Sequence, residues 1–404
     1  MRGRPGLVPD YRSDVAVFRT GVQRFWFALL LVAVIVLGLG GPIPIVPGLV
    51  SFRLEGELMV LGATAMFAAI GAIGLNIVTG FAGQVSLGHA FFLGIGAFTA
   101  AVLGGVEQVR NVSTGDVVWG LGLDMLIWLP VAGLVASAVG LLVAPLAFRL
   151  RGLYLAFVTL GLVFLGGHLF RTLKSITGGP GVGRETAEPV LFGFIPGYDG
   201  FRFDESGDVL GIYLSSQQRF FFLGLALLIV LGITAKNLAR SRIGRALAAV
   251  RDRDIAAEIM GIPLARYKMI AFVVSSFYAG VAGALLWGIT GQLQPELYDA
   301  APGLLLSVEY IAMILIGGVA TVSGSIMGAV FIIFLPRLVQ EIAGIGFLSG
   351  FVSVNVGEGV FDIFQFERVL FGLFIIGFLI FEPLGLYGIW IRIRNYWKAF
   401  PFSY

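Results

Sequence analysis

Long apolar runs recur along the chain and are separated by shorter polar stretches. A helix needs about 20 apolar residues to cross the hydrocarbon core of a bilayer. About ten runs approach that length, and they lie near residues 25–45, 58–80, 87–105, 123–148, 152–173, 218–239, 266–290, 303–320, 325–342 and 366–388. This pattern predicts an all-α fold, a polytopic bundle of about ten transmembrane helices.

Most basic residues outside the predicted spans fall into four clusters. Before the first span lie Arg2, Arg4, Arg12, Arg19 and Arg24, and between the fourth and fifth spans lie Arg149 and Arg151. Between the sixth and seventh spans lie Arg240, Arg242, Arg245, Arg251, Arg253, Arg266 and Lys268. After the last span lie Arg392, Arg394 and Lys398. With ten spans, all four clusters lie on one side of the membrane, and cytoplasmic segments carry an excess of Lys and Arg. We therefore predict a transmembrane domain over 25–390 with cytoplasmic segments at 1–24 and 391–404.

Composition supports a membrane protein and removes several kinds of site. The 404 residues are 58% hydrophobic and only 13% charged, which is too little charge for a soluble domain. The absence of cysteine excludes disulfides, thiolate metal ligands and cysteine nucleophiles, and two histidines argue against a histidine-rich metal site. We interpret the first apolar run as a retained helix, because about 24 mostly polar residues precede it and no small-residue cleavage site follows soon after.

Two long segments on the opposite side are too polar to span. Residues 175–217 are rich in glycine and contain the acidic residues Glu185, Glu188, Asp204, Glu205 and Asp208. We predict that this segment and residues 343–365 are external loops. Within the spans, small residues four positions apart at 90–94, 280–284 and 324–328 predict helices that approach closely.

Residues 240–263, on the cytoplasmic side, have the pattern of two short amphipathic helices. Ile243, Leu247 and Val250 follow a spacing of three and four, so they share one helical face. Asp252 and Asp254 are suitable N-cap residues for the second helix.

The second helix of this segment has its own apolar face and a defined end. Ala256, Ile259 and Met260 form that face, Gly261 suits the position after the helix, and Pro263 prevents continuation. The spacing leaves two interpretations open. The segment is either a docking site for a cytoplasmic partner or a basic amphipathic surface that lies on anionic lipid.

The stretch "TGFAGQVSLGHAFFLGIGAF" at 79–98 is unusually polar for a membrane chain. It places Gln84, Ser86 and His89 among repeated glycines, with Asn76 just before it. Unpaired backbone groups in hydrocarbon cost several kcal/mol each, so irregular backbone must be buried in protein or face water. Either these side chains line part of a conduit, or they close a turn between helices and satisfy one another.

Two further polar residues lie within predicted spans, and one glycine-rich stretch requires a test. Glu309 is a carboxylate in an apolar segment and therefore a candidate for substrate contact, while Thr159 either faces the path or back-bonds to its own helix. The stretch "GGPGVGRE" at 178–185 superficially resembles a phosphate-binding loop. Arg184 stands where that loop needs Lys, and Glu185 where it needs Ser or Thr, so we reject an ATP site there.

Three stretches in combination resemble one family. They are "GLNIVTGFAGQVSLGHAFFLGIGAF" (74–98), "RGLYLAFVTLG" (151–161) and "IGRALAAVRDRDIAAEIMGIPLARYKMIAFVVSSFYAGVAGAL" (243–285). "EYIAMILIGGVATVSGSIMGA" (309–329) and "FEPLGLYGIW" (381–390) continue the match. The chain resembles the permeases of branched-chain amino-acid ATP-binding-cassette (ABC) importers, and within them the M-type subunit.

This resemblance implies a multi-pass permease of a prokaryotic cytoplasmic membrane. It implies a second permease subunit, two cytoplasmic ATPases that use the ATP, and an external substrate-binding protein, with no cofactor in this chain and no nucleic acid. The coupling helix would lie within 243–261, and the residues assigned to ATPase coupling are Arg245, Leu247, Val250, Asp252, Arg253, Asp254, Ile259 and Gly261. The residues assigned to the substrate path are Asn76, Gln84, Ser86, His89, Thr159 and Glu309.

Other functions fit the sequence less completely. Related permeases carry urea or short amides, and the residues do not separate these solutes from amino acids. An ion-coupled secondary transporter needs ionisable groups in mid-membrane, where only Glu309 stands out. A membrane-embedded enzyme would need a nucleophile–base pair or a metal cluster, which a sequence with no cysteine and two distant histidines supports only weakly.

Overall fold

A computed structural model describes most of the chain. The described residues are 21–40, 43–46, 50–52, 56–111, 116–150, 152–195, 200–209, 211–343, 352–353 and 361–399. Most of the predicted N-terminal segment 1–24, most of the predicted loop 343–365 and the last five residues lie outside them.

Helices dominate the described part of the chain, as predicted. Fourteen α-helices are described: α1 Gly21–Gly38, α2 Gly56–Asn76, α3 His89–Gly104, α4 Met125–Arg149, α5 Leu153–Thr172, α6 Lys174–Thr177, α7 Ser216–Arg240, α8 Arg242–Asp252, α9 Asp254–Ile259, α10 Leu264–Leu286, α11 Ala300–Gly317, α12 Val322–Ala343, α13 Ile363–Phe381 and α14 Gly385–Ala399. A π-helical turn at Ile77–Phe81 continues α2, and a 3₁₀ turn at Pro295–Tyr298 precedes α11. The fold class is confirmed.

Each of the ten predicted spans contains one of these helices, although not all are long enough to cross a bilayer alone. Eight described helices are long and apolar enough, or nine if α13 and α14, bent by 46°, count as one span. The predicted third span contains only the 16-residue α3, which is about 24 Å long at 1.5 Å per residue. The irregular residues 82–88 connect it to the end of α2.

The long helices run alternately between two ends of the bundle, which we name after Gln84 and Arg184. At the Gln84 end, the end of α2, the α4–α5 junction and α8 border one cleft. At the Arg184 end, the Arg184 guanidinium donates to the Ile176 carbonyl (2.7 Å) and the Ala101 carbonyl (2.5 Å). Burial away from water lowers the pKa of Arg184 to about 10.

Small residues at helix crossings determine how closely the central helices pack. A Cβ at Gly280 would lie 2.8 Å from the Ala132 carbonyl of α4, and one at Gly283 would overlap the Leu93 carbonyl of α3. A Cβ at Gly328 would lie 2.9 Å from the Gly317 Cα. The predicted close approach of helices is confirmed at 280–284 and 324–328, whereas a Cβ at Gly94 would meet the side chains of Phe170 and Tyr298.

Short two-stranded pairs connect the helices. The strands are β1 Ile43–Val46, β2 Val50–Phe52, β3 Gln108–Asn111, β4 Asp116–Val118, β5 Arg184–Glu185, β6 Val190–Leu191, β7 Phe201–Arg202, β8 Gly207–Val209, β9 Ile212–Leu214, β10 Gln292–Leu293, β11 Val352–Ser353 and β12 Phe361–Asp362. Pairs β1–β2, β3–β4, β5–β10, β6–β7 and β8–β9 are antiparallel, and β11–β12 is parallel. Strands β5 to β9 lie within residues 175–217, between α6 and α7.

Candidate functional site

A helical elbow formed by α8 and α9 projects at the Gln84 end of the bundle; we call residues 242–261 the coupling elbow. Ser241 caps α8, since its hydroxyl accepts from the N–H groups of Ile243 (3.1 Å) and Gly244 (3.3 Å). Leu247 and Val250 are buried in the bundle, and Ile243 packs against the same core. The predicted shared face is confirmed, and it anchors the elbow.

The start of α9 differs from the prediction. The N-cap is Arg253, not an aspartate; Asp252 is the last residue of α8 and Asp254 is the first of α9. The Asp254 carboxylate accepts from the Ile255 N–H (2.9 Å) inside the first turn. Because α8 extends one residue further than expected, the two helices join through a single extended residue.

The end of α9 agrees with the prediction for Gly261. This residue has φ +83°, which a side chain would strain. The Gly261 N–H donates to the Glu258 carbonyl (2.9 Å) and the Ile262 N–H to the Ala257 carbonyl (3.0 Å). Together these bonds form a Schellman motif that fixes the exit from the helix.

The outer surface of α9 is apolar and exposed. Ile255 is 62% exposed, Ile259 81% and Met260 82%, whereas only Ala257 of this helix is buried. Of the other residues assigned to ATPase coupling, Arg245, Asp252, Arg253 and Gly261 are exposed and Asp254 is half-buried. Leu247 and Val250 point inward, so we assign them to anchoring rather than to contact with a partner.

A cleft of about 190 Å³ lies where the elbow meets the ends of the spans. Its lining is mainly polar and includes Gln84, Asp252, Arg253, Asp254 and Lys268. Lys268 is buried although it lies near the start of α10. The polar stretch after α2 and the charged elbow therefore line the same cleft, although the sequence pattern predicted them as separate features.

The polar residues at 76–86 are held mainly by hydrogen bonds within the protein. The Asn76 amide donates to the Thr321 carbonyl and the Ser325 hydroxyl and accepts from the Ala320 N–H, all in or beside the turn between α11 and α12. The Thr79 hydroxyl donates to the backbone carbonyl of Gln84 (3.1 Å), and the Ser86 hydroxyl accepts from the Gly88 N–H (3.4 Å). These contacts match the second interpretation, in which the residues close a turn.

Thr159 and Glu309 lie in different surroundings. The buried Thr159 hydroxyl donates back to the Leu155 carbonyl (3.0 Å) and accepts from the Leu87 N–H (2.9 Å), which ties α5 to the irregular segment. Glu309 is half-buried on α11 beside the exposed Val308. Thr159 is thus occupied by structural bonds, and only Glu309 of the two lies near the outside of the monomer.

His89 lies deep in the bundle, at the first residue of α3. Its ring centroid is 4.8 Å from that of Tyr310, a residue about two helical turns from the nearer end of α11. Both residues are buried, and within the described part of the chain His89 Nε2 and the Tyr310 hydroxyl have no hydrogen-bond partner. The neighbouring Ala90 N–H donates to the Ser307 hydroxyl (3.1 Å). Tyr310 and Ser307 were not predicted, because only the fold brings α11 beside α3.

The glycine-rich stretch 178–185 lies at the Arg184 end, opposite the coupling elbow. A two-residue strand, Arg184–Glu185, follows it in place of the helix that a phosphate-binding loop requires. In the part of the chain that the structure describes, no group of three His, Asp or Glu residues could hold a metal ion.

Comparison with known proteins gives one family. The family model described as "Branched-chain amino acid transport system / permease component" matches residues 58–380. The high-affinity branched-chain amino acid transport system permease protein LivM of Escherichia coli is 32% identical over 78% of this chain and 68% of its own length. LivM of Salmonella typhimurium is 33% identical over 71% of this chain and 64% of its own length.

A second type of permease protein is also similar to this chain. The high-affinity branched-chain amino acid transport system permease protein LivH of Escherichia coli is 24% identical over 67% of this chain and 80% of its own length. No solved structure matches the chain. The two LivM proteins are thus matched over about two thirds of their lengths.

Proposed function

The chain belongs to the family of branched-chain amino acid permease components, which are membrane-spanning subunits of ABC importers in the bacterial inner membrane, and on that premise we propose how it works. It translocates branched-chain or other hydrophobic amino acids by alternating access. We assign the energy source to separate ATPase subunits; the stretch 178–185, which superficially resembles a phosphate-binding loop, lacks the Lys, the Ser or Thr and the helix that such a loop needs.

One observation carries the proposal: the exposed apolar surface of α9 stands on a firmly anchored base. Ile255, Ile259 and Met260 present a small hydrophobic knob, while the buried Leu247 and Val250 hold the preceding helix in the bundle. Aqueous exposure of such side chains is unfavourable, so a partner that covers them gains binding free energy. Because α8 is packed into the bundle, a displacement of α9 by a bound partner also displaces the spans, whereas a flexible loop would move without them.

The charge distribution supports a cytoplasmic location for the coupling elbow. Described basic residues gather at the Gln84 end, where α4 ends and where α8 and α9 lie. By the positive-inside rule this end faces the cytoplasm, and residues 175–217 then face outward. We assign two ABC ATPases to the inner face and a substrate-binding protein to the outer face. Since LivM and LivH are both similar to this chain, we propose a second permease subunit beside it.

For the substrate path we propose a route past His89 in the centre of the bundle, with Gln84 and Ser86 at the Gln84 end and Glu309 on α11. Among the described residues, His89 Nε2 and the Tyr310 hydroxyl have no hydrogen-bond partner, so both are polar groups available to a solute. A branched-chain amino acid is a zwitterion with an apolar side chain, and weak contacts suffice because tight binding would prevent release. We exclude Asn76 and Thr159 from the path, since hydrogen bonds within the protein occupy both side chains.

Site-directed cross-linking tests the docking assignment. The chain has no cysteine, so a single Ile259→Cys substitution gives one attachment point on α9. In the co-expressed complex, a thiol-directed photo-cross-linker at this position is expected to capture an ATPase subunit. Val182→Cys, 56% exposed at the Arg184 end, is the matched control and should not capture it. Capture only at 182 would place the ATPases at the wrong end and overturn the proposal.

Competition in transport assays tests the solute. Purified complex in proteoliposomes, with binding protein outside and ATP inside, should take up labelled leucine. Unlabelled isoleucine or valine should compete, and urea or acetamide should not. Competition by urea or acetamide alone would replace the amino acid with a small amide as the solute.

A further inference from the structure

A continuous set of contacts joins the coupling elbow to the turn between α11 and α12, on the far side of α2. We propose that Arg251, Gly80 and Asn76 form a relay of hydrogen bonds and close packing that moves the α11–α12 turn together with the elbow. The three are positioning residues, and none of them touches substrate. The proposal rests on the docking of an ATPase at the elbow, and its test distinguishes the two.

The first contact joins the elbow to the end of α2. Arg251, in the last turn of α8, donates from Nη1 to the Gly80 carbonyl at 2.7 Å. Gly80 lies in the π-helical turn that ends α2, where carbonyl groups have no partner within the helix. A cation at a helix C-terminus also interacts favourably with the helix dipole. The bond is therefore directional and charge-assisted.

Backbone packing reinforces this contact. Gly83, three residues further on, has φ +69°, and a Cβ there would lie 3.1 Å from Arg251 Cγ and 3.3 Å from its Cα. The chain after the π turn thus rests directly on the backbone of α8. A displacement of α8 toward the membrane would push the end of α2 even before the Arg251 side chain adjusted.

The second contact joins the same glycine to the α11–α12 turn. A Cβ at Gly80 would overlap Asn76 Oδ1 and lie 2.6 Å from the Ala320 nitrogen. Those two atoms are hydrogen-bonded to each other, the Ala320 N–H donating to Asn76 Oδ1 at 2.8 Å. Gly80 therefore touches the elbow through its carbonyl and the turn through its Cα, and no larger residue fits between them.

Asn76 extends the link over the whole turn. Its Nδ2 donates to the Thr321 carbonyl (3.0 Å) and to the Ser325 hydroxyl (2.7 Å), and the side chain is buried. We call this set of bonds the Asn76 clamp. The clamp holds Ala320 at φ +60°, which is uncommon for a residue with a side chain. The turn is thus kept in a strained shape by the relay, and α11 carries that constraint toward Tyr310.

Transport stoichiometry tests the relay in the full complex, reconstituted in proteoliposomes with its ATPases and binding protein. In Arg251→Gln we expect uptake per ATP hydrolysed to fall about tenfold, the factor that corresponds to roughly 1.4 kcal/mol of lost coupling. ATP hydrolysis itself should stay close to wild type. Arg251→Lys keeps a donor and a charge, so it should restore most of the coupling. Arg242→Gln is the matched control at the other end of α8 and should couple normally.

The outcomes separate the relay from the proposed function. If Arg251→Gln transports as much substrate per ATP as wild type, the relay is wrong while ATPase docking stands. If the wild-type complex shows no ATP-driven uptake, the proposed function fails first. Equal loss in Arg242→Gln would also overturn the relay, because the effect would then reflect only the charge of the elbow.

Spin-label distances decide the case if Arg251→Gln does not assemble. Labels at Ala248→Cys on α8 and Ser323→Cys on α12 report the separation of the elbow and the turn in an otherwise wild-type chain. The relay predicts the same distance distribution in nucleotide-free and ATP-trapped complexes, because both elements move as one body. A distribution that shifts with nucleotide would show independent movement and refute the relay.

Discussion

Replacing Asn76 by alanine separates a structural role for this residue from a role in the substrate path. The substitution removes four hydrogen bonds, of which the bond to the Gly318 carbonyl is the longest at 3.5 Å, and the Ala320 N–H loses the Asn76 Oδ1 acceptor that lies at 2.8 Å. The Thr321 carbonyl suffers less, because it also accepts from the Ser325 hydroxyl at 3.2 Å. Leaving one buried donor unsatisfied and losing the other bonds should cost about 2–4 kcal/mol in total.

Thermal unfolding of the purified protein in detergent, followed by tryptophan fluorescence, measures this cost. Asn76→Ala is expected to lower the melting temperature by roughly 2–5 °C, because the entropy of unfolding of a chain of this length is large. Thr64→Val is the matched control in the same helix. The Thr64 hydroxyl donates only to the Val60 carbonyl (2.9 Å) of its own helix, so its loss should change stability by less than about 0.5 kcal/mol.

The refuting result for Asn76 is specific. If Asn76→Ala melted like wild type and still lost leucine uptake, the side chain would serve the path rather than the fold. The Asn76 clamp would then contribute little, and the structural interpretation would be wrong.

Three further substitutions test other parts of the account. Gly261→Ala should destabilise the end of α9 by about 1–2 kcal/mol, because φ is +83° there. ATP-coupled uptake should therefore fall, while the melting temperature of the bundle changes little. An unchanged uptake rate would contradict a rigid elbow. Ile259→Asp should abolish co-purification of the ATPases while Glu258→Gln on the same helix retains it, because only the first places a charge in the apolar contact. Tyr310→Phe removes a buried hydroxyl that has no partner in the described structure, so the melting temperature should stay constant or rise while uptake kinetics change; a marked loss of stability would show that the hydroxyl is bonded.

The helices were predictable because the bilayer imposes strict local requirements. Each predicted span contains a helix, since a long apolar run must satisfy its own backbone hydrogen bonds in lipid. The shared face of Ile243, Leu247 and Val250 and the stop at Gly261 were equally local, because side-chain spacing and the left-handed conformation determine them. The presence of a helix in each span and the end of α9 at Gly261 thus followed from neighbouring residues alone.

The arrangement of the site was less predictable, because its contacts join residues far apart in the chain. Asn76 meets residues 320–325, and His89 meets Tyr310; no periodicity within one span indicates such partners. The predicted N-cap of α9 was wrong because two aspartates were plausible caps, whereas the break between the helices falls on Arg253 between them. An apolar face at 243–250 was visible in the sequence, but its inward orientation required the packed bundle.

ATP dependence of uptake tests the central claim most directly, since the claim is that an external motor drives this chain through the coupling elbow. Proteoliposomes containing the full complex and the binding protein should accumulate leucine only with ATP at the ATPase face, and Ile259→Asp should abolish that accumulation. Leucine accumulation driven by an ion gradient in the absence of ATP, and unaffected by Ile259→Asp, would contradict the account.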